Sequence, residues 1–148
     1  MGRTLMGYAG AVAATYVVGV VAASQHVISH FESMSGDLVG FSGRISWVLK
    51  DILGMLLPPI YPFAIGLMVL IAFAVCGFVV RRLGSLRTFG FVLAGALGMV
   101  GMHLVLNAVT EINPIAASRS LVGLMGQAVA GAIGGLAYVL LHPEQALE

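Results

Sequence analysis

"IYPFAIGLMVLIAFAVCGFVV", Ile60 to Val80, is a run of 21 residues without a single charge. At about 1.5 Å of rise per residue, a helix of that length covers the roughly 30 Å hydrocarbon layer of a bilayer. Its neighbours repeat the pattern. "LMGYAGAVAATYVVGVVAA" (Leu5–Ala23) precedes it, and "TFGFVLAGALGMVGMHLVLNAV" (Thr88–Val109) and "SLVGLMGQAVAGAIGGLAYVLL" (Ser120–Leu141) follow it. The first stretch also invites a signal-peptide reading. It lacks a compelling small-residue cleavage site and is followed by three more spans, so it is read as a helix of the mature protein.

Composition agrees with four membrane spans. The 148 residues are 59% hydrophobic and only 9% charged, with a mean hydropathy of +1.04. Soluble domains average about 25% charged residues. A soluble globule of this size still exposes roughly 30% of its unfolded surface, too much for so apolar a chain. The expectation is an all-α membrane protein, a bundle of four transmembrane helices forming one integral membrane domain over 1–148, with the lipid bilayer as its first partner. The net charge of +1 and the absence of a basic helix face give nucleic acid no purchase. Cys76 is the one cysteine, which excludes an intrachain disulfide.

The link between the first two spans has its own signal. In "SGRISWVLKDILGMLLPP" (Ser42–Pro59), Ile45, Val48, Leu49, Ile52, Leu53 and Leu56 recur at helical spacing, with Ser46, Lys50 and Asp51 opposite. An amphipathic interfacial helix over 43–57 is expected, capped by Ser42 and stopped by Pro58, Pro59 and Pro62. Trp47 suits a position at the outer interface, in the membrane plane or capping the bundle. Arg3, Arg81, Arg82 and Arg87 fall on one side of an even-span topology, against Arg44, Lys50 and Arg119 on the other. The tight arginine cluster favours N-in and C-in, as in a bacterial inner membrane.

Small residues suggest how the spans pack. Gly90, Gly95, Gly98 and Gly101 lie on span three. Gly123, Gly126, Gly131, Gly134 and Gly135 lie on span four, and Gly7, Gly10, Ala13, Ala14 and Gly19 on span one. Close backbone approach over small residues drives helix association in lipid. Spans one, three and four are therefore expected to pack tightly and the bulky span two to face lipid. Small-residue faces on so many helices also suggest a homo-oligomer.

Polar groups within the spans are the candidate site, because burying them in lipid is costly. His103, Asn107 and Glu111 repeat every four residues along span three, and Gln127 lies on span four, with Thr15 and Tyr16 on span one. By helix rise, His103 sits about 7 Å and Gln127 about 5 Å outward of the centres of their spans, so the two are level. His26 lies about 18 Å out on the same measure, so His26 and His103 do not make a haem ligand pair within one chain. Two chains sharing a haem through His103 is the remaining haem arrangement. "SQHVISHFE" (Ser24–Glu32) puts His26 and His30 on one helix face, where a divalent metal would find His26, His30 and Glu111, with Glu32 as a further donor. A solvated helix end that binds nothing is the alternative for His26 and His30, and Glu111 and Arg119 are placed to pair across the short outer hairpin as a structural contact.

No phosphate loop, no Ser/His/Asp set and no paired intramembrane aspartates occur, which argues against an enzyme. The leading expectation is transport, permeation, or binding of a small or lipidic ligand, through His103, Asn107 and Gln127 with Glu111 at the outer mouth. The alternative is a redox subunit holding metal or haem on histidines near the outer face. A purely structural subunit of a larger assembly is a third reading.

Overall fold

Five helices carry most of the described residues of a computed structural model, which are 2–57, 59–81, 86–110 and 119–142. They are α1 (Gly2–Ser35), α2 (Phe41–Leu56), α3 (Ile60–Val80), α4 (Arg87–Thr110) and α5 (Leu121–Leu141). No strand occurs among the described residues. α1, α3, α4 and α5 are each long and apolar enough to cross a membrane. The chain is thus an all-α protein with the make-up of an integral membrane protein. Below, the end of the bundle that holds the start of α1 is called inner and the opposite end outer.

The four long helices form a ring in the order α1, α5, α4, α3, with little contact across either diagonal. α5 lies between α1 and α4 and packs most extensively on both. Glycine explains how closely. A Cβ on Gly131 would collide with the Gly95 carbonyl oxygen, and one on Gly135 with the Phe91 carbonyl. On another side of α5, Gly134 lies against the Thr15 side chain. The expectation that spans one, three and four pack tightly is met. Of the small-residue faces that suggested a homo-oligomer, the one at Gly131 and Gly135 is spent inside the chain.

α3 presents two faces. Ile65, Val69, Phe73, Cys76 and Val80 are buried, whereas Phe63, Leu67, Ile71, Val75 and Phe78 are exposed. Those exposed side chains need an apolar solvent, but α3 is no more lipid-facing than the other spans. In its most apolar window 33% of the residues are buried, against 33% for α1, 22% for α4 and 28% for α5, because Phe73, Cys76 and Val80 turn into the core. Its start is built by prolines. Leu57 is extended at φ −129° and ψ 105°, as the residue before a proline prefers. Pro59 caps α3, and the Phe63 N–H reaches the Pro59 carbonyl at 3.0 Å. Pro62 sits in the first turn, where its missing N–H leaves no bond unmade.

α1 is longer than a bilayer requires. Its 34 residues span about 51 Å, so the expected span Leu5–Ala23 is its inner and middle part and "SQHVISHFE" continues the same helix outward. Gly36 ends it at φ +76°, its N–H donating to the Glu32 carbonyl at 3.0 Å. That left-handed conformation favours glycine.

α2 then runs back along α1 in antiparallel fashion. Arg44 donates to Gln25 and to both Glu32 oxygens at 2.6–2.8 Å, Phe31 and Trp47 are 5.9 Å apart, and Ser24 donates to Asp51 at 2.6 Å. Two expectations are corrected here. The helix begins at Phe41 behind Gly40, with no side-chain cap, so Ser42 lies inside it. The apolar stripe is also split. Ile52 and Met55 pack on the core, while Ile45, Leu49, Leu53 and Leu56 point outward. The cause is that the face turned to α1 is mixed, with Arg44 and Asp51 making side-chain polar contacts there beside the Phe31–Trp47 ring contact and the Ile52 carbonyl.

Candidate functional site: a polar centre in the outer part of the bundle

Gln127 is fully buried on α5. Its Nε2 donates to the Gly19 carbonyl at 2.9 Å and its Oε1 accepts from the Tyr61 hydroxyl at 3.0 Å. One amide therefore ties α5 to α1 and α3. Gly19 leaves room for the pair: a Cβ there would lie 3.0 Å from the Tyr61 hydroxyl and 3.1 Å from Gln127 Oε1, so those side chains would have to give by a few tenths of an ångström. The Tyr61 ring sits 6.0 Å from the Tyr16 ring and 6.3 Å from that of His103. Tyr16 in turn donates its hydroxyl proton to the Ile52 carbonyl, which links the centre to α2.

His103 completes the group from α4. It is 2% exposed, and neither ring nitrogen makes a hydrogen bond of sound geometry among the described residues. The Gln127 side chain is the polar group that bears on it. A neutral imidazole has one donor and one acceptor. Leaving each unmatched in a dry interior costs about 1–3 kcal/mol. Thr15 Oγ1 is also buried without a partner, but it is pressed against Gly134 in the α1–α5 contact.

The structure brings together His103 and Gln127, the two residues that helix rise placed level. Asn107 lies one turn outward on α4 and is exposed, so it does not join the enclosed centre. Glu111 lies outside the described residues, and with it the proposed Glu111–Arg119 pair. His26 and His30 are adjacent, their rings 4.6 Å apart and edge to face. His26 Nε2 is 2.9 Å from Ser120 Oγ, which also accepts the Gly123 N–H at 3.0 Å and so caps α5. Glu32 is held by Arg44 and by the Val39 N–H. Among the described residues, no three His, Cys, Asp or Glu side chains gather as a metal would need. The enclosure of His103 by its own chain also leaves no open edge for a haem shared with a second copy.

Sequence reasoning missed Tyr61. Its signal was a tyrosine in the first turn of a span otherwise free of polar side chains, since a buried Tyr hydroxyl usually finds a partner. The Gly19 carbonyl carried no signal at all, because the backbone acceptor becomes useful only when Gln127 reaches it.

No protein-family model, curated protein or solved structure matches this chain.

Proposed function

We propose that this chain is a small membrane protein that binds or passes a small hydrogen-bonding solute at the His103–Gln127–Tyr61 centre. The observation that carries the reading is His103, a buried imidazole whose nitrogens make no hydrogen bond of sound geometry among the described residues, beside the satisfied Gln127–Tyr61–Gly19 network. Unmatched buried polar groups in a native fold call for a reason, and an absent hydrogen-bonding guest is one. Three helices position the centre, so a guest there meets a preset donor and acceptor.

We read the topology in the same way, as N-in and C-in. Thr4, Arg87 and His142 meet at the inner end, which accords with N-in, C-in placement and an arginine-rich cytoplasmic face of a bacterial inner membrane. The exposed Leu49, Leu53 and Leu56 of α2 accord with a helix seated at the outer interface, its leucines in lipid. Self-association, if it occurs, would use the exposed apolar faces, because the close-packed glycines are occupied within the chain. No observation favours the redox reading over this one.

The test uses proteoliposomes. Flux of small uncharged solutes is followed by light scattering and proton flux by an entrapped dye, for the unaltered protein, His103→Leu and Gln127→Leu. The expected result is a solute-specific flux that both substitutions abolish. Equal flux from all three proteins, or none above empty vesicles, would sink the reading.

A further inference from the structure

A second site lies at the inner end, away from the polar centre and independent of it. A cavity of about 630 Å³ opens between α1 and α3, lined by Leu5, Leu70, Ala74 and the rings of Tyr8, Phe73 and Tyr138. That volume is within the range of small-molecule sites, roughly 300–1,000 Å³. Leu5 and Leu70 are largely exposed, so the mouth faces the lipid side of the bundle. The Tyr8 hydroxyl donates to the Gly66 carbonyl at 2.8 Å and marks the outward limit of the groove. Phe73 and Tyr138 form its floor, their rings 4.9 Å apart.

Two lining residues of this apolar groove, Thr4 and Tyr138, connect it to a polar and cationic cluster at the inner end. Tyr138 stacks on His142 at 5.4 Å. Thr4, which also lines the groove, has its Oγ1 3.2 Å from His142 Nε2. Arg87 donates to the His142 carbonyl and lies 3.2 Å from Nδ1 of the same ring. Among the described residues at this end, the charged ones are Arg3, Arg81 and Arg87. An apolar slot open to lipid thus runs into a positively charged patch with hydrogen-bond donors.

We propose that the groove holds one acyl chain of an anionic glycerophospholipid, with its phosphate against Arg87, His142 and Thr4. Lipid chains are the solvent at the mouth, so the groove fills with what surrounds it. The patch then selects among lipids. Arginine presents planar paired donors suited to phosphate, and each basic residue near an anionic membrane surface contributes about 1 kcal/mol. A phosphatidylglycerol-type lipid satisfies both halves of the site, whereas a zwitterionic lipid adds a positive group to a surface already positive.

Native mass spectrometry of protein released from nanodiscs of mixed phosphatidylglycerol and phosphatidylcholine tests this. The unaltered protein should retain one phosphatidylglycerol in preference to phosphatidylcholine. Ala74 lies on the exposed side of α3, so Ala74→Trp fills the groove without entering the core; it should strip both lipids, with helicity by circular dichroism unchanged. Arg87→Gln should lower phosphatidylglycerol retention about fivefold and leave phosphatidylcholine unaffected. Equal retention of the two lipids by the unaltered protein, or retention that survives Ala74→Trp, would overturn the proposal. So would displacement of the lipid by inorganic phosphate, which would make the patch a free-anion site.

Discussion

His103 and Gln127 are neighbours with opposite energetic characters. Gln127 satisfies the Tyr61 hydroxyl and the Gly19 carbonyl, so Gln127→Leu leaves a buried hydroxyl without its acceptor. Unfolding in detergent should show a loss of about 1–3 kcal/mol. Among the described residues, neither ring nitrogen of His103 has a hydrogen-bond partner of sound geometry, Gln127 being the polar side chain beside it. Replacing it with Leu removes unmatched nitrogens and keeps the volume, so His103→Leu should be neutral or more stable by about 1 kcal/mol. The pairing of unchanged or raised thermal stability with lost solute flux is what a functional residue kept at a stability cost would give. A large destabilisation by His103→Leu would instead make the imidazole structural.

At the level of elements, the α1–α2 hairpin depends on one ion pair set within hydrogen bonds. Arg44 grips both oxygens of Glu32, whose side chain is 13% exposed against 30% for Arg44. The same carboxylate accepts the Val39 N–H at 2.8 Å, and the Arg44 Nε donates to the Val39 carbonyl at 3.2 Å. Exposed pairs are worth little, but this one is two-pronged and partly sheltered, so about 1 kcal/mol is a fair allowance. Glu32→Gln should leave the four long helices intact and speed amide exchange at 37–41 and in the first turn of α2. Unchanged exchange there would show that Phe31 and Trp47 hold the hairpin without the ion pair.

Across the whole molecule, the α4–α5 contact sets the frame on which the polar centre depends. Gly95, Gly131 and Gly135 let two backbones touch, which places Gln127 one turn outward of Gly131 and level with His103. Gly131→Ala should cost about 1–3 kcal/mol through forced separation and disturb the Tyr61–Gln127 bond as the helices part. Gly54 on α2 is the control, since a Cβ there meets nothing within 4 Å. Gly54→Ala should stabilise by about 0.5–1 kcal/mol through helix propensity. Thermal unfolding of both variants in one detergent checks the pair, and similar shifts of the same sign would refute the packing argument.

The four long helices were legible along the chain because hydropathy over some 20 residues is a local property that lipid enforces regardless of neighbours. The level placement of His103 and Gln127 was legible too, since helix rise is fixed. Tyr61 joining them was not, nor was Gly19 supplying a carbonyl. Those depend on which faces of α1 and α3 turn inward, and an uncharged span has almost no periodicity to say so. The direction of α2 shows the same limit. Its apolar stripe could be read from spacing, but the face turned to α1 is a mixed one, on which Arg44 and Asp51 found partners across the hairpin while Ser46 and Lys50 stayed exposed. Local patterns decide what becomes a membrane helix; pairwise contacts between distant residues decide which of its side chains share an interior.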